Sequence, residues 1–345
     1  MLQSSCMRKI LLFIVLLSFL LSCKKNDSTQ QSKQPSTLCL DTAFIRPNFT
    51  GISGIFFITE TEGFVATYTG DIYKTTDAAI TWTKMSSNTD LPLYSLYFTD
   101  TQTGYAVGGS SSCNGSGCIP PGGIILKTID GGQSWNKIFS STKWLEISSV
   151  YFVNKTLGFC VGGSTVFKTE NGGQFWSEYE VPNLGGEMLD VRFSDAEKGY
   201  IACSFGKLLT TSNGGITWGQ VNQHINQALY SIATMGNTVY MSGSDKIMKS
   251  TDNGTSWAAL PNSPAEIYKL YFVNDQSGFA FGRGNYSGGD FGYNYGSIYC
   301  TTDGGNTWNG ISDIKQSTMI TDVSFPSNTI GYGFSNFGII KLKTK

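Results

Sequence analysis

An eight-residue pattern, Thr/Ser-x-Asp/Asn-x-Gly-x-x-Trp, occurs six times in this chain, beginning at Thr75, Thr128, Thr169, Thr211, Ser250 and Thr301. The copies hold Asp77, Asp130, Asn171, Asn213, Asp252 and Asp303, and end in Trp82, Trp135, Trp176, Trp218, Trp257 and Trp308. A repeat spacing of about 40 to 50 residues is the period of a propeller blade. Upstream of each copy lies an apolar strand, a polar turn and a glycine-aromatic strand. Examples are SLYFTDTQTGYAVGG from Ser95, SVYFVNKTLGFCVGG from Ser149 and KLYFVNDQSGFAFGR from Lys269. Seven such units can be counted, the one at Ser231 being the weakest. β-branched and aromatic runs punctuated by Gly, Asn and Asp predict antiparallel strands, four per unit.

The spacing therefore predicts an all-β, seven-bladed propeller of four-stranded antiparallel blades. The last unit, after Asp322, supplies three strands before the chain stops. An open blade would expose an unpaired edge. The segment around Leu38 to Arg46 is expected to fill it beside Gly338–Lys345.

The turn has its own logic. Gly, Asn and Asp tolerate positive φ. The Asp or Asn side chain can accept backbone N–H bonds, and the Thr or Ser hydroxyl can hold it in return. The Trp covers the turn and buries roughly 150–250 Å². These residues read as scaffold, since a device repeated in every blade is structural.

The boxes resemble the Asp-box, or BNR, repeat found in sialidases, some glycoside hydrolases, sortilin-type receptors and the photosystem II assembly and stability factor family. The regular seven-unit layout with its Gly-Tyr-Ala-Val-Gly strand is most similar to the last of these. The resemblance covers about Gly51 to Lys345. It implies a propeller fold and an assembly or stability role; the box itself is shared across unrelated activities.

The first residues read as an address. Arg8 and Lys9 precede the apolar run Ile10–Leu21, too short to span a bilayer, then Ser22-Cys23. Leu20-Leu21-Ser22-Cys23 resembles a bacterial lipobox, with lipid on Cys23. Residues 1–22 are thus expected to be a lipoprotein signal peptide and 23–37 a lipidated cysteine with a disordered tether. Residues 38–345 make the single propeller, hung near a membrane by the anchor alone, in the periplasm or outside the cell. Loss of Arg8 and Lys9 takes Lys plus Arg from 24 to 22, against 25 Asp plus Glu, a net charge near −3. That excludes a basic field for nucleic acid.

Cys113 and Cys118 bracket a small loop and can pair as a local disulfide; Cys160 and Cys203 read as buried thiols. The pairing of Cys39, Cys160, Cys203 and Cys300 stays open. No cysteine pair resembles a zinc site, His224 is the single histidine, and no metal or cofactor is expected.

Propeller topology puts the box turns on one face. The loops between second and third strands, and the entries to the innermost strands, lie on the other. Two insertions, Gly108–Gly123 and Arg283–Gly296, fall on that second face, which marks it as a binding face. Six residues before the innermost-strand Phe98, Phe152, Phe193 and Phe272 stand Pro92, Glu146, Glu187 and Glu266. With Trp144, Arg192, Arg283, Tyr286, Asp290, Phe291, Tyr293 and Tyr295 they propose a surface of carboxylates and aromatics.

Two function classes follow. The first is a non-catalytic, lipid-anchored scaffold, monomeric, binding an envelope or membrane protein. The alternative is a glycoside hydrolase using two of Glu146, Glu187 and Glu266, or a module that binds a glycan without cleaving it. A sialidase needs an arginine triad, and only Arg46, Arg192 and Arg283 remain after cleavage.

Overall fold

A computed structural model describes residues 40–110, 122–141, 143, 145–221, 227–284, 295–311, 319–335 and 338–344. They form seven four-stranded antiparallel sheets. Blade 1 runs Ile52–Phe57, Gly63–Thr67, Ile72–Thr75 and Thr83–Met85. Blade 2 runs Leu93–Phe98, Gly104–Ser110, Gly122–Thr128 and Asn136–Ser140. Blade 3 has Ser149–Phe152, Gly158–Gly162, Thr165–Thr169 and Ser177–Glu180; blade 4 has Met188–Phe193, Gly199–Cys203, Leu208–Thr211 and Gly219–Gln220. Blade 5 has Leu229–Met235, Thr238–Gly243, Met248–Ser250 and Ala258–Ala259; blade 6 has Ile267–Phe272, Gly278–Gly284, Tyr295–Thr301 and Asn309–Gly310. The first strands touch in sequence around a ring, the last meeting the first.

Blade 7 contains Asp322–Ser324, Ile330–Ser335 and Gly338–Thr344, and its fourth strand is Leu40–Ile45. The N-terminal strand pairs antiparallel with Gly338–Thr344, from Leu40 opposite Thr344 to Ile45 opposite Ile339. The expected closure is thus present, and it removes the free edge.

Blades are joined by a recurring aromatic wedge. The aromatic residue of one blade's second strand stacks on the first-strand Phe of the next. The pairs are Phe64–Phe98 at 4.5 Å, Tyr105–Phe152 at 4.1 Å, Phe159–Phe193 at 4.2 Å and Tyr240–Phe272 at 3.9 Å. Phe279–Phe325 at 5.7 Å and Tyr332–Phe57 at 3.7 Å complete the set. The box tryptophan of the second blade packs edge-on against that Phe, as Trp135 does on Phe98 and Trp176 on Phe152. Trp135 is fully buried.

This geometry explains the Gly before each aromatic. Gly104 lies opposite Phe98, and a Cβ there would come within 2.5 Å of the ring. The same holds for Gly63 under Phe57, Gly158 under Phe152 and Gly278 under Phe272. Blade 5 breaks the rule on both sides at once. Thr234 stands where the Phe belongs, and its partner is Val239 rather than Gly. Tyr200 of blade 4 therefore has no ring to stack on. That exchange is why the Ser231 unit is the weakest in sequence.

The box turns are held as the residue types demand. In blade 2, Thr128 Oγ1 donates to Asp130 Oδ1 at 2.7 Å and accepts from Gly132 N at 2.9 Å. Ser134 donates its amide to Asp130 Oδ1 at 3.0 Å and its hydroxyl to Oδ2 at 2.6 Å. Hydrogen bonds from the Ser134 hydroxyl and amide hold the Asp130 carboxyl at about 2, and those from Ser256 do the same for Asp252. In blade 1 the two left-handed positions are Ala78 and Ala79, at φ 61° and 70°, where blade 2 has Gly131 and Gly132.

Cys160 and Cys203 are buried free thiols, as expected, and burial pushes both well up, Cys203 to about 12. Cys300 is disulfide-bonded. Cys23, Cys39, Cys113, Cys118 and His224 lie outside the described residues. Among the described residues no helix is long and apolar enough to cross a membrane, and the one helical turn is Ser204–Gly206.

Three outcomes are expected. Trp135→Ala should lower the unfolding free energy by about 3–5 kcal/mol in denaturant melts, since it empties a wedge between two blades. Thr234→Phe alone should destabilise, because Val239 occupies the ring's place. Thr234→Phe with Val239→Gly should recover that loss and add about 0.5–1.5 kcal/mol from a seventh stack under Tyr200. Finally, the box carboxyls titrate lower when folded than their unfolded value of 3.8. Their contribution should be complete above about pH 4 and vanish as pH falls through about 2. Replacing Asp130 and Asp252 by Asn should flatten that acid limb of the stability curve.

Candidate functional site

The innermost strands line a channel with a cavity of 530 Å³. Its wall follows from period-two alternation along these strands. Residues such as Leu96 and Phe98 face the blade core. The residue just before the Phe faces the channel: Phe56, Tyr97, Tyr151, Arg192, Ala233, Tyr271 and Ser324.

A repeated bulge shapes the mouth. In blades 1, 2, 4, 5 and 6 the register of the first strand slips by one residue. The skipped residues are Ser53, Tyr94, Leu189, Tyr230 and Tyr268, four positions before the core residue. A bulge re-aims its side chain, and all five line the channel. Three tyrosines thus stand at the end where the strands begin, which is the face opposite the boxes.

These tyrosines have partners. Tyr230 and Tyr268 stack at 5.0 Å and 15°. Tyr94 meets Tyr68 edge-on at 5.9 Å. Burial raises the Tyr94 hydroxyl above its ordinary value, and the Glu146 carboxylate beside it raises it further. Tyr268 donates to Glu266 Oε2 at 3.4 Å, and the Arg283 Nη1 stands 3.8 Å from the same oxygen. Burial and Glu266 raise Tyr230 as well. Glu266 adopts φ 56°, and its carbonyl accepts the Arg283 amide at 3.0 Å.

The proposed glutamates therefore occupy two different settings. Glu146 and Glu266 flank the tyrosine mouth, each with its own tyrosine. Glu187 is exposed, and its amide donates to Ser204 Oγ at 2.8 Å. Arg192 is not on the rim. It lies in the channel wall, paired with buried Asp190 at 3.0 Å and stacked over Tyr151 at 5.4 Å. Asp190 also accepts from Ser149 Oγ at 3.3 Å and Ile232 N at 3.0 Å, so it ties three blades together. Across the channel, Lys269 pairs with Asp322 at 2.9 Å.

Trp144, Tyr286, Asp290, Phe291 and Tyr293 lie outside the described residues, and of Tyr295 only the backbone is described. Both insertions leave from the ends of second strands, Gly104–Ser110 and Gly278–Gly284, on the same face as the tyrosine mouth. Sequence reasoning missed Tyr94, Tyr230 and Tyr268. The alignment that found the glutamates six places before the core residue also carries the tyrosines, two places later. No group of three or more His, Cys, Asp or Glu suited to a metal occurs among the described residues.

Residues 174–341 match the family model of the photosynthesis system II assembly factor YCF48. A curated relative, the photosystem II assembly lipoprotein Ycf48 of Synechococcus sp. (strain CC9902), is 28% identical over 198 residues. That alignment covers 54% of this chain and 55% of the relative, so the chain spans about half the length of the relative it matches. Among solved structures, YCF48 bound to D1 peptide aligns with TM-score 0.66 at 19% identity, covering 88% of this chain and 96% of that one. YCF48 from Cyanidioschyzon merolae gives 0.67 at 16% identity, covering 88% and 98%. The GH74 xyloglucanase from Xanthomonas campestris gives 0.68 at 12% identity, covering 87% and 53%. Likeness at these identities establishes the fold alone, since an enzyme and a peptide binder score alike. Family model and curated relative agree with the repeats themselves: this chain is an Asp-box propeller similar to the photosystem II assembly factors.

Proposed function

We propose that this chain is a lipid-anchored, non-catalytic scaffold of the assembly-factor kind, which holds a segment of a membrane or envelope protein at the face opposite the boxes. One observation carries the reading. Bulges in three separate blades turn Tyr94, Tyr230 and Tyr268 toward one channel mouth, with Glu146 and Glu266 beside them. Aromatics that present a flat apolar face and a polar tip are favoured at protein interfaces.

The family resemblance supports a protein partner. One solved relative is described as bound to a D1 peptide, and the curated relative is described as a lipoprotein. Cys23 is the acyl site, residues 1–22 are removed, and the propeller lies in the periplasm or outside the cell. A hydrolase would need two carboxylates free to act on one sugar bond. Glu146 and Glu266 are instead each engaged by a neighbouring tyrosine.

The test is a pull-down of the anchored protein in mild detergent, with bound proteins identified by mass spectrometry. Replacing Tyr94, Tyr230 and Tyr268 together by Ala should weaken a stoichiometric partner by at least about tenfold, as loss of clustered aromatic anchors does. Full retention of that partner after these changes, the Glu→Gln changes at Glu146, Glu187 and Glu266, and replacement of both insertions overturns the face assignment. Hydrolysis of an aryl-glycoside panel that disappears in the same Glu→Gln variants overturns the non-catalytic reading.

A further inference from the structure

The opposite face carries a second pattern. Among the described residues, five large apolar side chains are about two-thirds exposed or more: Ile80 at 73%, Ile129 at 71%, Phe175 at 67%, Phe205 at 78% and Ile216 at 66%. Four of them, all but Phe205, sit in the box turns. They occur one per blade, in blades 1 to 4, which are consecutive around the ring. The turns of blades 5 and 6 have only polar residues at the corresponding places: Thr251, Thr255 and Ser256, then Thr302, Asn306 and Thr307.

Isolated exposed apolar residues are ordinary. These recur on four consecutive blades, and one stands where the other turns make a hydrogen bond. The residue before each box tryptophan is Thr81, Ser134, Ser256 and Thr307 in the four turns built on Asp. In each its hydroxyl donates to the second carboxylate oxygen at 2.6 Å. Blade 3 has Phe175 in that place. Asn171 replaces the Asp, and of residue 175 the amide alone bonds to it, at 2.9 Å. Nothing inside the turn rewards a phenylalanine there, because it points into solvent.

The entry point of the chain identifies what covers this arc. Leu40 pairs with Thr344, at the end of the third strand of blade 7. Third strands end at the box turns, so the folded domain begins on the box face. Blade 7 adjoins blade 1, where the apolar arc starts. Only 16 residues separate Leu40 from Cys23.

We propose that the box face is a lipid-contacting surface, on which Ile80, Ile129, Phe175 and Ile216 dip into the bilayer interface. The occupant is a lipid surface, recognised through apolar burial. This goes beyond a tether as sole attachment. It also leaves the tyrosine mouth turned away from the membrane, open to a partner. The orientation rests on the reading of Cys23 as the acyl site; the lipid contact does not.

Two measurements test this. In lipidated protein on phosphatidylcholine vesicles, Phe175→Trp adds a reporter on the box face and Tyr68→Trp one on the opposite face. Brominated acyl chains should quench the fluorescence added by the first and spare that of the second. Equal quenching, or none at the first, overturns the proposal. All seven described sheets are built from residue 40 onward and Cys39–Lys345 is one compact unit, so lipid-free protein lacking residues 1–23 keeps every described strand. It should bind the same vesicles, and changing the four residues to Ser should reduce the partition coefficient by at least about tenfold. Binding unchanged by those four substitutions overturns the proposal. Vesicle binding by the lipid-free chain, together with no acyl incorporation at Cys23, keeps the lipid contact and removes the anchor.

Discussion

The structure depends on the contact between one blade and the next. A flat ring from a second strand lies on the first-strand phenylalanine of its neighbour, and a box tryptophan closes the edge. Each such wedge buries aromatic area that no single blade could cover alone. The glycine opposite the phenylalanine is part of the same contact, because a methyl group would occupy the ring's volume. Blade 5 shows the coupling from the other side, where Thr234 and Val239 change together and Tyr200 loses its stack. Closure by Leu40–Ile45 then makes the ring a single cooperative body rather than a stack with open ends.

The wedges fix the two faces and so separate two kinds of chemistry. At the box face each turn is cross-braced by backbone amides donating to its Asp or Asn side chain. Those bonds lie within the turn, and blades 1 to 4 carry bulky apolar tips outside them. At the other face the strands begin with a bulge, which spends one residue outside the ladder and turns it to the channel. Tyr94, Tyr230 and Tyr268 use that freedom. Deeper in, Asp190 with Arg192 and Lys269 with Asp322 neutralise one another, so the wall is polar without a strong field of either sign.

Arg192 illustrates why a position in the alignment is not yet a role. Its place beside Phe193 was readable, and so was the carboxylate two residues earlier. Only the ring curvature brings Ser149 and the amide of Ile232 onto that carboxylate from the neighbouring blades. An arginine that the alignment places near the mouth is thus held in the channel wall by its pairing with Asp190. Glu146 and Glu187 stand at the same register, yet one faces a tyrosine and the other faces solvent.

The sequence by itself determined the blade count, the strand order, the closing strand and the construction of the box turns. Those features repeat, and repetition turns a local pattern into a global constraint. It also determined which loops share a face, since alternation of strand direction leaves no choice. Tertiary structure alone decided which side chains meet across blades. The tyrosine mouth, the bonds from Ser149 and Ile232 onto Asp190 and the apolar arc join residues of different blades, and their encounter depends on bulges and ring curvature, which leave no mark on a single repeat.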